Sequence, residues 1–199
     1  MPIHEPTVHD PTDGQLLGLS LQLVVGVYAS PGDALRADLE GGAFQEAVAL
    51  AARPAGLTAP DLDVPPWRTL QTRYVDLFVS SPNGLPAPPY VGYAVDGELL
   101  GPTARRLKAF YDEHGVTPNG AWGDLPDHLA AVAEAGTLLV EAGRPDAART
   151  LAARFLLPWF ERYAEPVVDA DTSGFYGPMT RFLHAAIKEV TREAAVHGS

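Results

Sequence analysis

Residues 74–93, YVDLFVSSPNGLPAPPYVGY, decide how the chain is read. The stretch opens as helix: Tyr74, Leu77 and Phe78 stand at the i, i+3, i+4 spacing that places three large apolar groups on one face. That helix cannot pass Ser81, because Pro82 has no N–H to donate and pushes the residue before it out of the helical region. Four prolines then fall within eight residues, Pro82, Pro86, Pro88 and Pro89. The backbone they specify is extended and stiff, and it carries Tyr90 and Tyr93 at its far end. Aromatic groups on a rigid connection are either tied down over the core or offered to a ligand, and the residues alone leave both open.

Working outward, every patterned segment is helical. Residues 1–12, rich in Pro, Thr, His and acid, read as a flexible tail. From Asp13, a candidate N-cap, the run Leu16, Leu17, Leu19, Leu21, Leu23, Val24, Val25 and Val27 is apolar nearly all round, which suits the centre of a bundle. Ser30 can cap a second helix, with Pro31 at its first position and Asp33 three residues on, and Gly41-Gly42 stops it. Ala43 to Arg53 supplies a third, residues 54–66 a connecting loop, and Trp67 to Val79 the helix that leads into the prolines.

Beyond them, Gly97 to Pro102 reads as a turn and Thr103 to His114 as a helix closed by Gly115. Residues 117–123 read as loop. A helix over Leu125 to Ala142 carries Leu125, Leu129, Val132, Gly136, Leu139 and Val140 within a stripe of about 100°. Pro145 starts another that reaches Tyr163, kinked at Pro158. Glu165 to Ser173 reads as a polar loop, and Gly177 to Ala195 as the last helix. No strand pattern or fixed-period repeat appears, so the expected fold class is all-α.

Composition narrows the function. The chain of 199 residues is long enough for one substantial core. Fourteen Lys and Arg against 25 Asp and Glu give a formal charge of −11, the wrong sign for a nucleic-acid surface and compatible with a basic peptide partner. The absence of cysteine excludes disulfides, thiolate metal sites and Cys nucleophiles. No cation precedes Arg36, so the N-terminus lacks the basic region of a signal peptide. The apolar run from Leu16 to Val27 is too short to span a bilayer, so no stable membrane insertion is expected. The expected location is the cytoplasm.

The six histidines, His4, His9, His114, His128, His184 and His197, show no metal-ligand spacing, and no P-loop, dinucleotide fingerprint or nucleophile elbow is present. Neither an activated nucleophile nor an acid–base pair is apparent, so the reading is a non-enzyme with no metal and no cofactor. Asp127 and His128, in Asp124-Leu125-Pro126-Asp127-His128-Leu129, are the best candidates for a polar site. The expectation puts both in the first turn of their helix, where backbone N–H groups favour a carboxylate, with His128 at the border of the apolar stripe and Asp127 well off it. The alternative is that Asp124 and Asp127 cap the helix while His128 satisfies a loop carbonyl.

Taken in order, Y-x-x-L-F at Tyr74, P-P-Y-x-x-Y at Pro88 to Tyr93, P-D-H-L at Pro126, Leu156-Leu157-Pro158-Trp159 with Phe160, and Phe175-Tyr176 resemble the TorD/DmsD/NarJ family over about residues 14–190. These are cytoplasmic chaperones of molybdenum-cofactor oxidoreductases, many exported by the twin-arginine route. The resemblance implies one helical domain over 13–199, a TorD-like bundle. Its N-terminal half would reach about residue 80, a proline-rich loop would span 80–102, and its C-terminal half would span 103–199. It implies binding of the leader peptide or apo form of a catalytic subunit until cofactor insertion and folding are complete. The expected peptide-binding residues are Tyr74, Phe78, Pro89, Tyr90, Tyr93 and Trp159 in an apolar groove, with Asp127 and His128 at its polar end.

Three positions depart from the family pattern. Arg73 stands where an acid often precedes the tyrosine, Val132 where a glutamate often follows P-D-H-L, and Phe155 where a histidine often precedes L-L-P-W. The site is thus locally less acidic than in its relatives. Alternatives are a NarJ-like role on a non-exported subunit, a helical small-molecule or nucleotide-binding protein, and a structural adaptor. Relatives exchange helices between protomers, which makes a monomer or a domain-swapped dimer the expected state, with residues 82–101 as the hinge.

Overall fold

The computed structural model describes residues 13–82, 84–117 and 125–192, and the fold over them is all-helical, in one domain. The chain runs through α1 (Asp13–Tyr28), α2 (Asp33–Gly41), α3 (Ala43–Ala52), α4 (Trp67–Tyr74), α5 (Val91–Asp96), α6 (Pro102–His114), α7 (Leu129–Glu141), α8 (Pro145–Leu151), α9 (Leu157–Ala170) and α10 (Tyr176–Arg192). Among the described residues there is no strand; one isolated antiparallel bridge joins Tyr90 to His128. The residues read as a tail, 1–12, most of the expected loop over 117–123 together with Asp124, and the expected end of the last helix beyond residue 192 lie outside the described residues.

The apolar run in α1 takes the central position its composition demands. Leu17, Leu21, Val24, Val27 and Tyr28 have no exposed surface, and α1 packs most extensively on α7 and then on α10. The α1–α7 crossing is close because α7 offers Gly136 there. A Cβ at that position would stand 2.9 Å from Leu21 Cδ1. Tyr28 ends α1 inside an aromatic cluster, with ring centroids 5.3 Å from Phe78, 5.1 Å from Trp159 and 5.9 Å from Phe160. Its hydroxyl shares a 2.7 Å hydrogen bond with Thr180 of α10, and its carbonyl accepts from the Tyr74 hydroxyl at 2.9 Å. One residue therefore ties the first, fourth and last helices together.

Two π-helical turns mark where the helical register shifts. After α4 the turn over Val75–Val79 ends with the Ser80 N–H donating to the Val75 carbonyl at 2.9 Å, five residues back. A second, Ala152–Leu156, joins α8 to α9 immediately before Pro158. At Pro158, where a kink is expected, the turn widens just before a residue with no N–H, and α-helix resumes at Leu157.

Several expected boundaries are corrected. The second helix begins at Asp33 after Gly32, with no side-chain cap, so Ser30 does not cap it. The segment over 165–173 is not a loop. Helix α9 continues through Pro166 to Ala170, because Val167 is fully buried there and α9 packs along α10. Tertiary burial outweighs a polar local composition. The sharp turn falls instead at Asp171, whose carboxylate accepts from the Ser173 N–H and hydroxyl and the Gly177 N–H and so orders the start of α10. Residues 82–101 are not wholly extended either, since they contain α5.

Candidate functional site

The two stretches singled out from the sequence meet through their backbones. The Val91 N–H donates to the Asp127 carbonyl at 2.9 Å, and the Leu129 N–H donates to the Pro89 carbonyl at 2.7 Å. Between these bonds Tyr90 faces His128, with ring centroids 5.7 Å apart and the rings nearly perpendicular at 86°. Prolines make this pairing possible. Pro88 and Pro89 hold the strand-like backbone open, and Pro89 still offers its carbonyl although it has no N–H.

The expected helical placement of Asp127 and His128 is corrected by the same geometry. Helix α7 begins at Leu129, so Asp127 and His128 precede it instead of lying in its first turn. His128 is the N-cap, its Nδ1 accepting from the Ala130 N–H at 3.2 Å. Both residues are buried, Asp127 with 2% and His128 with 4% of its surface exposed. The paired connection covers them, which the helical period alone did not indicate.

Asp127 lies against α5 so closely at Gly92 that any side chain there would require the carboxylate to shift. A Cβ at Gly92 would stand 2.8 Å from Asp127 Oδ2 and 3.5 Å from both the Cβ and the N of Ala104. The Tyr111 hydroxyl of α6 donates to the Pro126 carbonyl at 3.1 Å. Burial pushes that phenol far above its ordinary range, with the Asp127 and Glu134 carboxylates adding in the same direction, so it stays a neutral donor.

Between α6 and the Pro126–Asp127 segment runs a groove of about 350 Å³. Its α6 wall is one helical face, Ala104, Leu107, Lys108, Tyr111 and Asp112, with Leu100 at one end and Val116 at the other. Asp127 therefore lines the groove while its carbonyl holds the proline connection. Lys108 is engaged by Asp112 at 2.7 Å, and Arg105 Nη1 donates to the Leu100 carbonyl at 3.2 Å.

The expected site residues fall into two groups. Pro89, Tyr90, Asp127 and His128 converge at the backbone pairing, and Tyr93, half-buried on α5, follows directly. Tyr74, Phe78 and Trp159 lie behind it in the aromatic core, with 5%, 2% and 0% of their surface exposed. Trp159 is joined to the first group by its Nε1–H, which donates to the Pro88 carbonyl at 2.8 Å. Sequence reasoning missed Gly92, Tyr111 and Leu107. The only signal for Gly92 was its place inside P-P-Y-V-G-Y, and none existed for the α6 face, which reads as an ordinary amphipathic helix.

Among the described residues no group of three or more His, Asp or Glu gathers where it could hold a metal ion, and no helix is long and apolar enough to cross a membrane. No protein of curated function matches the chain in sequence. The fold resembles the crystal structure of a candidate redox enzyme maturation protein from Archaeoglobus fulgidus. That likeness has a TM-score of 0.57 at 22% identity and covers 94% of this chain and 99% of that one. The family model described as nitrate reductase delta subunit matches residues 41–165, a span that holds the proline connection, the Asp127–His128 pair and Trp159. The chain thus belongs to the nitrate reductase delta subunit family, the NarJ/TorD-like maturation chaperones of redox enzymes.

Proposed function

We propose that this chaperone is cytoplasmic and system-specific, binding the twin-arginine leader or apo form of a molybdenum-cofactor oxidoreductase subunit and holding it until cofactor insertion and folding precede export. The observation that carries the reading is the apolar groove along α6 with Asp127 in its wall and the proline connection bonded to that wall. A leader has a basic region followed by an apolar, often helical one. An apolar groove on a chain of net charge −11 is complementary to both parts. In this reading Pro89, Tyr90, Tyr93, Asp127 and His128 form the contact edge. Tyr74, Phe78 and Trp159 brace it from the core. No covalent step is involved: the chaperone acts by occupying an apolar segment and then releasing it.

A nucleotide fits this groove poorly. Asp127 stands where a phosphate would be repelled, and both lining cations already have partners. The family description, which names nitrate reductase, is equally compatible with a second reading, in which the client is a non-exported catalytic subunit.

Calorimetry with a synthetic leader peptide, titrated into wild type, Tyr90→Ala and Asp127→Asn, tests the assignment. Loss of a central contact costs about 2 kcal/mol, roughly thirtyfold in affinity. We expect both variants to stay folded and lose that much, and the peptide with glutamines for its arginine pair to bind more weakly, with a smaller salt dependence. Equal affinity for the arginine and glutamine peptides, at low and high salt, favours the non-exported client. Normal binding by both variants removes the site.

A further inference from the structure

Leu100 is, among the described residues, the one that is not glycine yet has a left-handed backbone, with φ 58°. In that conformation its Cβ crowds the backbone, and glycine would take the place without strain. The turn around it is clamped. The Asp96 carboxylate accepts from the Thr103 N–H at 2.7 Å and from its hydroxyl at 2.9 Å. Gly101 passes so near that a Cβ there would stand 2.6 Å from Asp96 Oδ2. Arg105 adds a hydrogen bond to the Leu100 carbonyl, and in this turn Leu100 is 61% exposed beside Leu99, at 50%. Leucine suits neither the backbone nor the water. Its side chain, however, lines the end of the α6 groove.

We infer that Leu100, supported by Leu99, is the preformed anchor with which the groove grips the apolar segment of a client leader, an inference that rests on the leader-binding reading above. Backbone strain in an over-determined turn, combined with an exposed apolar side chain, marks a contact made with a partner. Fixing the anchor before binding removes the cost of ordering it afterwards. The occupant is an apolar segment with a basic end and not a second copy of this chain, because two molecules of charge −11 repel while a basic peptide is drawn in.

The experiment measures thermal unfolding and fluorescence-anisotropy binding of the full chain, with a synthetic peptide in which an arginine pair precedes an apolar helical segment. Leu100→Gly should bind about tenfold or more weakly, yet melt about 2 °C higher because the strain is relieved. Leu100→Ala should bind as weakly with no gain in melting temperature. Leu138→Ser, on an exposed position of α7, should behave as wild type. Wild-type affinity in both Leu100 variants, while Asp127→Asn fails to bind, overturns the anchor and leaves the leader reading standing. Absence of binding by the wild type removes both. A lower melting temperature for Leu100→Gly makes the residue a structural staple and overturns the inference. A wild-type dimer that Leu100→Gly converts to monomer, with peptide affinity unchanged, overturns it too.

Discussion

Trp159 Nε1 donates its hydrogen to the carbonyl of Pro88, 2.8 Å away and 71 residues apart in the chain. The bond joins the largest fully buried side chain of the core to the proline-rich connection. The indole has no exposed surface, and its ring lies 5.1 Å from that of Tyr28. The proline connection is thereby tied directly to the aromatic centre of the bundle.

Trp159→Phe keeps the aromatic packing and removes the donor. Leaving the Pro88 carbonyl unsatisfied costs about 1–3 kcal/mol, seen as an earlier thermal transition. Limited proteolysis should cut first within residues 84–88. If Trp159→Phe melts as wild type and resists the protease equally, the bond contributes nothing to holding the connection.

Gly92 and Asp127 predict a change of sign. On the wild-type background Gly92→Ala places a methyl against Asp127 Oδ2 and should destabilise by about 1–3 kcal/mol. On an Asp127→Ser background the clash is gone, and alanine in α5 should stabilise by up to about 1 kcal/mol relative to glycine. A double-mutant cycle with no coupling between the two positions contradicts the close approach.

Thr180→Val tests the polar link at the end of α1. Thr180 shares a hydrogen bond with the Tyr28 hydroxyl and donates to the Tyr176 carbonyl at 2.7 Å. Burial raises the Tyr28 phenol far above its usual range, so it is neutral and needs a partner. Isosteric valine removes one, at a cost of about 1–3 kcal/mol. Denaturant unfolding should show a lower midpoint with an unchanged slope.

His184 makes stability depend on acidity. Partial burial lowers its pKa below the ordinary histidine value of about 6.5, and Lys188 lowers it further, against smaller opposite effects of Glu161 and Glu165. As pH falls through 6.5 the unfolded chain takes the proton first, so stability is full above that pH and is lost toward the folded-state pKa. His184→Gln should abolish this part of the acid-side decline. Parallel curves for the two proteins between pH 7 and pH 5 contradict the assignment.

The path from sequence to site was legible only in part. Pro82 announced the end of the helix, and P-P-Y announced an extended connection, because proline acts on its own φ and on its neighbour whatever surrounds it. The pairing of Tyr90 with His128 was not legible, since a backbone bridge between segments 38 residues apart leaves no local pattern. Tyr74 and Phe78 show the limit from the other side. Their spacing, with Leu77, identified a shared apolar face, but a face turned to the core and a face lining a groove have the same period.

By itself, then, the amino-acid sequence determined the all-helical class, most of the helix ends, the stiffness of the proline connection and the family resemblance that the comparison of residues 41–165 supports. These follow from hydrogen bonds and steric limits within a few residues, which operate before any packing occurs. Only the tertiary structure decided that α9 runs on to Ala170, that Asp127 is buried over Gly92, and that a groove opens along α6 with Leu100 held at its end. Those outcomes depend on which distant surfaces are buried together. The apolar area that α1, α7 and α10 remove from water outweighs the small local preferences it overrides.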